Sequence, residues 1–166
     1  MGGGAWAAVA GLTPANAIHL RPARAEDVDA IHAIEVASFG DPWKRNGFRD
    51  LILGGNATVV VAEQVGSIVG FAVSYAGADE AEIANVAVAT PARRAGIGRA
   101  LVEHVISASS ANGATKVFLE VRESNVAARA LYGSRGFVER SRRPAYYTDP
   151  REDAVVMRLD ISHAVI

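Results

Sequence analysis

Two glycines stand among basic residues in the run RRAGIGRA, Arg93 to Ala100, just before a segment whose apolar residues recur at helical spacing. A helix start exposes backbone N–H groups that lack intrahelical partners, and its dipole favours negative charge there. Gly96 and Gly98 would let an anion approach those groups, with Arg93, Arg94 and Arg99 as countercharge; a tight turn alone would use the same glycines. A nucleoside-triphosphate P-loop is excluded, because no Gly-Lys-Ser/Thr ending follows. A dinucleotide fingerprint could begin at Gly96-Ile97-Gly98, but Leu101 occupies its third glycine position. The other chemical signal is Glu120, a carboxylate set among Val117, Phe118, Leu119 and Val121. It is either an exposed residue at a strand end or a proton acceptor held in an apolar run.

Periodicity supplies the elements that must position these groups. IHLRPA, from Ile18, reads as a strand, and Val28, Ile31 and Ile34 mark a helix that GDPW breaks at Gly40 and Pro42. A second short helix carries Phe48, Leu51, Ile52 and Leu53 and stops at Gly54-Gly55. ATVVVAEQ and SIVGFAVSYA form a hairpin through Val65-Gly66, and AEIANVAVA follows an acidic turn at Asp79-Glu80. The glycine loop opens a long helix to about Ala111, ATKVFLEV is a strand, and NVAARALYGSRGF is a short helix stopped by Gly136. Two last strands fall near Phe137–Ser141 and Ala154–Leu159. The order β-α-α-β-β-β-α-β-α-β-β predicts a mixed α/β fold, a mostly antiparallel sheet of about seven strands with about four helices. The strands on either side of the long helix should be parallel.

Composition bounds the function. Of 166 residues half are hydrophobic and 21% are charged, and the net charge of −1 gives no global field for nucleic acid or an anionic membrane. There is no cysteine, hence no disulfide or thiolate nucleophile, and four scattered histidines lack metal-ligand spacing. No apolar run reaches the roughly 18 residues of a membrane span. MGGGAWAAVAGLTPANA has no Lys or Arg before its apolar part, so residues 1–17 read as a disordered leader rather than a secretory signal. One domain is expected over residues 18–162, with a tail at 163–166, in the cytoplasm.

Four motifs, in order, resemble the GNAT N-acetyltransferase superfamily. RRAGIG matches its Arg/Gln-x-x-Gly-x-Gly/Ala signature after the strand NVAV, and LEVRESNVAARALYGSRGF (Leu119–Phe137) is similar to its second signature. SFGDPW (Ser38–Trp43) and YYTDPREDAVVM (Tyr146–Met157) resemble the ribosomal-protein alanine acetyltransferase group, so the likeness runs from about Ile18 to Leu159. It implies acetyl-CoA as donor cosubstrate and no metal. Its pyrophosphate would lie on the backbone of Arg94, Ala95, Gly96, Ile97, Gly98 and Arg99, and its pantetheine arm along Val86, Ala87 and Val88. Ala95 departs from the pattern, where arginine or glycine is commoner. The resemblance makes Glu120 the general base and Tyr132 the general acid. It also makes Asn125, which can equally cap the short helix, a cofactor contact.

Trp43, Tyr146 and Tyr147 would then flank the acceptor. Asp41, Asp79, Glu80, Glu82, Asp149, Glu152 and Asp153 fall in the same segments, and around a groove they would favour a basic acceptor; elsewhere they are a solvated face. The implied acceptor is a protein N-terminus, the N-terminal alanine of a ribosomal protein, with no nucleic-acid or membrane partner and a monomer or weak dimer. Two alternatives stay open: a small-amine acetyltransferase acting on a polyamine or amino acid, and a non-catalytic acyl-CoA-binding sensor. A sensor would need neither Glu120 nor Tyr132.

Overall fold

The computed structural model describes residues 17–161; the expected leader as far as Asn16, and the expected tail, lie outside them. The elements are β1 (His19–Pro22), a 3-10 turn (Ala25–Asp27), α1 (Val28–Ser38), α2 (Arg45–Gly54), β2 (Thr58–Gln64), β3 (Ser67–Ala76), β4 (Glu80–Val88), a second 3-10 turn (Thr90–Ala92), α3 (Ile97–Ala111), β5 (Lys116–Arg122), α4 (Val126–Ser134), β6 (Val138–Thr148) and β7 (Arg151–Asp160). This is the order expected from periodicity. The seven strands form one sheet in the order β1-β2-β3-β4-β5-β7-β6. β1/β2, β5/β7 and β6/β7 are antiparallel, whereas β4 and β5, joined through α3, run parallel from Glu80↔Lys116 to Ile83↔Leu119. No described helix is long and apolar enough to cross a membrane.

The chain divides into two compact units. One runs up to Val73 and takes in Val86–Leu101; the other comprises Ser74–Asn85 and the chain from Val102 onward. In the first, Phe48 and Phe71 meet edge to face at 5.4 Å, and Ile18, Ile31, Val60, Val61 and Ile97 are fully buried. A Cβ on Gly70 would stand 3.1 Å from the Ala87 carbonyl and 3.3 Å from the Ile97 and Leu101 side chains. Glycine there lets the start of α3 lie close on β3 and β4. Arg21 joins β1, β2 and the first 3-10 turn by ion pairs of 2.7 Å to both Asp27 and Glu63. That guanidinium holds the buried Asp27 carboxyl below the usual carboxylate range.

In the second unit β5 alternates strictly: Val117, Leu119 and Val121 are buried, and Phe118, Glu120 and Arg122 are half-buried on the other face. β7 pairs with β5 along its whole length, from Lys116↔Asp160 to Arg122↔Ala154. β6 corrects the sequence expectation. It reaches Thr148, so Tyr146 and Tyr147 lie within a strand instead of in a loop before the last one. Pro144 signals a strand end, since it cannot donate to a ladder. Here it falls in a register shift, where Arg143 faces Ala154 and Tyr147 faces Glu152, and the irregularity absorbs it.

The two-residue connection between β2 and β3 has φ of +50° at Val65 and +76° at Gly66, the backbone of a type I′ hairpin. Val65 is β-branched and 82% exposed, so it carries the left-handed strain without any packing in return. Val65→Asn should therefore stabilise the fold by about 1 kcal/mol, since Asn tolerates that region. Thermal melting should read this as a rise of roughly 2–4 °C. A lower melting temperature would contradict the turn assignment.

Candidate active site

The glycine loop belongs to the first unit. β4 ends with the Ala89 N–H donating to the Val69 carbonyl at 2.8 Å, and the second 3-10 turn leads to Arg93. Arg93 is exposed, and its guanidinium is bonded within the loop's own surroundings. Its Nε donates to the Val88 carbonyl at 2.9 Å and its guanidinium reaches Ser38 Oγ at 3.2 Å, so it ties the loop to β4 and α1. Arg94 (φ +64°) and Gly96 (φ +79°) are both left-handed. Helix α3 begins at Ile97, one residue before the second glycine, and its first closed bond runs from the Ala100 N–H to the Gly96 carbonyl at 3.0 Å.

The N–H groups of Ile97 and Gly98 thus precede the first intrahelical bond, while buried Ile97 anchors the turn in the core. Arg94, Ala95, Gly96 and Arg99 are exposed, and a Cβ on Gly96 would meet nothing within 4 Å. This open rim of backbone donors beside arginines fits a pyrophosphate. Along β4, Val86 and Val88 are half-buried and Ala87 is buried.

Glu120 and Tyr132, the residues expected to move protons, belong to the second unit. Glu120 follows Leu119, the last β5 residue in register with β4. Its Oε1 lies 3.0 Å from Arg143 Nε, and the Tyr146 hydroxyl donates to the same carboxylate. Tyr146 and Tyr147 meet edge to face at 5.1 Å. The Arg143 guanidinium lies 5.4 Å from the Tyr146 ring, and that of Arg122 4.3 Å from the Tyr147 ring. Burial and then the Glu120 charge push the Tyr147 phenol up to about 12. Both tyrosines are delivered by the β6 irregularity. Ala145 is left-handed (φ +50°), and its N–H is held by Asp153 Oδ1 at 2.8 Å.

Arg122 fixes the hairpin beyond them, with bonds of 3.0 Å to the Asp149 carbonyl, 2.9 Å to the Pro150 carbonyl and 3.2 Å to Glu152. Asn125 caps α4, its side chain accepting from the Ala128 N–H at 3.1 Å. That helix buries Tyr132, 8% exposed, against Phe137 at 5.8 Å. Burial, with the neighbouring Tyr147, raises the Tyr132 phenol to about 12.

A pocket of about 500 Å³ opens in this unit, lined by Tyr75, Glu80, Glu82, Phe118, Glu120 and Arg143 among others. Only part of the acidic set expected around an acceptor groove is there. Glu80 and Glu82 line the pocket, but Glu152 is engaged by Arg122 and by the Ser124 N–H at 2.6 Å, and Asp153 by Ala145. Trp43 and Asp41 belong to the other unit. The Trp43 ring lies 5.6 Å from that of Phe48, and the Trp43 backbone N–H donates at 3.0 Å to Glu35 Oε1, a carboxylate 1% exposed that positions the segment between α1 and α2. Neither Glu35 nor Arg143 was singled out in the sequence. Their importance comes from partners far along the chain, and no local pattern reports it.

Residues 28–137 match the acetyltransferase (GNAT) family. The chain belongs to it. The ribosomal protein bS18-alanine N-acetyltransferase of Escherichia coli (strain K12) is 41% identical over 138 residues, covering 82% of this chain and 93% of that protein. The protein of the same name from Haemophilus ducreyi (strain 35000HP) is 32% identical over 137 residues, 81% of this chain and 94% of its own. The crystal structure of the ribosomal-protein-S18-alanine N-acetyltransferase from Escherichia coli superposes with a TM-score of 0.82 at 38% identity, covering 89% of this chain and 96% of that one. The acetyltransferase therefore has the fold and the activity class that its motifs resembled.

Gly98 is helical and not left-handed, so a larger side chain there crowds the donor rim without straining the backbone. Acetyl-CoA at a hundredfold excess over its dissociation constant should stabilise the acetyltransferase by about 2.7 kcal/mol. Gly98→Val should melt near the wild-type temperature alone and lose that ligand-induced shift. A full shift in the variant would mean that the loop is only a turn.

Proposed function

We propose that the chain acetylates the N-terminal α-amine of a protein, the N-terminal alanine of a ribosomal protein, with acetyl-CoA as donor. The observation that carries this reading is the acidic pocket opening on Glu120, in a chain similar over nearly its full length to alanine N-acetyltransferases.

The cosubstrate supplies a thioester-activated acetyl group. The backbone of Arg94 to Arg99 holds its pyrophosphate, with Gly96 and Gly98 permitting close approach and the α3 dipole adding attraction. The edge of Val86, Ala87 and Val88 receives the pantetheine arm as an added strand, and Asn125 adds a contact while capping α4. Glu120 takes the proton that the acceptor amine loses as its nitrogen attacks the carbonyl carbon. Tyr132 gives its proton to the sulfur as the carbon–sulfur bond breaks. A phenol raised to about 12 is protonated throughout the physiological range, so that donor is loaded whenever turnover begins. No hydrogen bond among the described residues commits its proton elsewhere. Tyr146 and Tyr147 hold the first backbone amides of the acceptor, and Glu80 and Glu82 draw in a basic side chain.

Glu120→Gln keeps the shape of the base and removes its function. Turnover should fall roughly 10²–10⁴-fold with acetyl-CoA affinity intact, and Tyr132→Phe should also slow turnover. Wild-type rates in both variants would withdraw these roles and restore the sensor alternative.

Mass spectrometry of a peptide panel tests the acceptor. Peptides starting with Ala, Ser or Gly and followed by Arg or Lys should lead, because close approach to the thioester leaves little room for a first side chain. Efficient acetylation of an internal lysine behind a blocked N-terminus, or spermidine outcompeting every peptide, would overturn the reading.

A further inference from the structure

Arginines in and around β6 differ in how firmly they are held. Arg122 has one carboxylate, two backbone carbonyls and a tyrosine ring around it, and its side chain is 21% exposed. Arg142 is divided between Glu123 and Glu139. Among the described residues Arg143 has only Glu120, at 3.0 Å, and the Tyr146 ring, and its side chain is 58% exposed. It is the loosest of the three, and it sits on the candidate base.

The charges that face Glu120 make this placement telling. From β6 come Arg143, Tyr146 and Tyr147; from β4 come Glu80 and Glu82; from β3 comes Tyr75. Glu82 makes no ion pair among the described residues, and its charge reaches Tyr146. Three carboxylates therefore line the pocket against one guanidinium. An acceptor N-terminus arrives as a cation, and a basic second residue adds another. Both must approach the carboxylates that Arg143 already partly neutralises.

Resting on the N-terminal acetyltransferase reading, we propose that Arg143 is an internal stand-in for the acceptor's positive charge: it occupies Glu120 in the free protein and swings to solvent when a cationic acceptor enters. The guanidinium of this pair is mostly in solvent while Glu120 is half-buried, so its release costs less than that of a buried pair. Arg143 is thus a positioning residue that sets acceptor selectivity. It keeps Glu120 aimed along β6 while the pocket is empty, and it makes entry depend on a competing cation. A neutral or acidic second residue does not displace it as readily.

Calorimetric titration of CoA-loaded protein with two peptides, one starting Ala-Arg and one Ala-Ala, tests this. Arg143→Gln removes the competing charge, so the Ala-Arg peptide should bind roughly five- to tenfold more tightly than to wild type. The Ala-Ala peptide should gain less, and Arg143→Lys should return both to wild-type affinity. CoA binding and melting temperature should be unchanged, because the side chain is largely exposed. Unchanged or weaker binding of Ala-Arg to Arg143→Gln would overturn the proposal, as would an equal gain for both peptides. Acetylation of the same peptides by wild type, read by mass spectrometry, keeps the two ideas apart. Acetylation without tightening sinks only the role of Arg143. Tightening without acetylation upholds that role and sinks the activity.

Discussion

Asp153 accepts the backbone N–H of Ala145 at 2.8 Å, and that bond holds β6 in a left-handed kink opposite β7. Between Arg143↔Ala154 and Tyr147↔Glu152, β6 spends four steps where β7 spends two. The surplus must leave the plane of the ladder, and a buried or half-buried N–H in it needs a partner. Asp153 supplies that partner from the facing strand. The consequence is chemical as much as structural. Arg143 before the kink and Tyr146 after it both reach Glu120, which a regular period-two strand would not arrange for residues three apart.

In the first unit the comparable constraint is the close seating of α3. Gly70 has no side chain because the Ala87 carbonyl, Ile97 and Leu101 occupy the space that one would need. With Ile97 buried, the first turn cannot rotate, and the free N–H groups at its start are aimed by the core beneath them. Arg93 closes the other side by bonding the Val88 carbonyl, so loop and strand end are fixed to each other. Preorganised donors need no rearrangement on binding an anion, which is how a helix start becomes a receptor and not merely a terminus.

Much of this was legible in the sequence, and the misses share a cause. Element order followed from apolar period, and the breaks at Gly54-Gly55, Gly113 and Gly136 lie where left-handed glycines occur at positions 55, 113 and 136. Glu120 stood out as a carboxylate in an apolar run, whereas Tyr132 was picked out only by the family resemblance. The extent of β6 was hidden by Pro144, whose local meaning is a strand end and whose actual setting is a bulge. The bond from Arg93 to the Val88 carbonyl was not legible, because a run of arginines says nothing about carbonyls that fold back on it. Glu152 and Asp153 looked like groove charge for the same reason. Charge type is local information, whereas its neutralising partner is set by pairing across 8 to 30 residues of chain.

In the proton-carrying roles proposed for Glu120 and Tyr132, their environments suit an α-amine better than a lysine. Tyr132 is buried, and its phenol is driven up to about 12, so in the proposed role it would release its proton only to a strongly basic group. Glu120 lies on the half-buried face of β5, 3.0 Å from the Arg143 guanidinium and open to the pocket. An α-amine titrates near pH 7.7–8.0, against about 10.4 for lysine, so at neutral pH roughly one α-amine in ten is already neutral but fewer than one lysine in a thousand. A base that must only collect a proton as the new bond forms is enough for the first. The second would have to be stripped of its proton before attack, at an added cost of about 3 kcal/mol. The acidic wall at Glu80 and Glu82 stabilises any ammonium placed against it, so an amine that starts with the lower pKa has the advantage there. An acceptor whose amine gives up its proton easily, and which carries its permanent positive charge on a neighbouring side chain, meets both demands of the pocket.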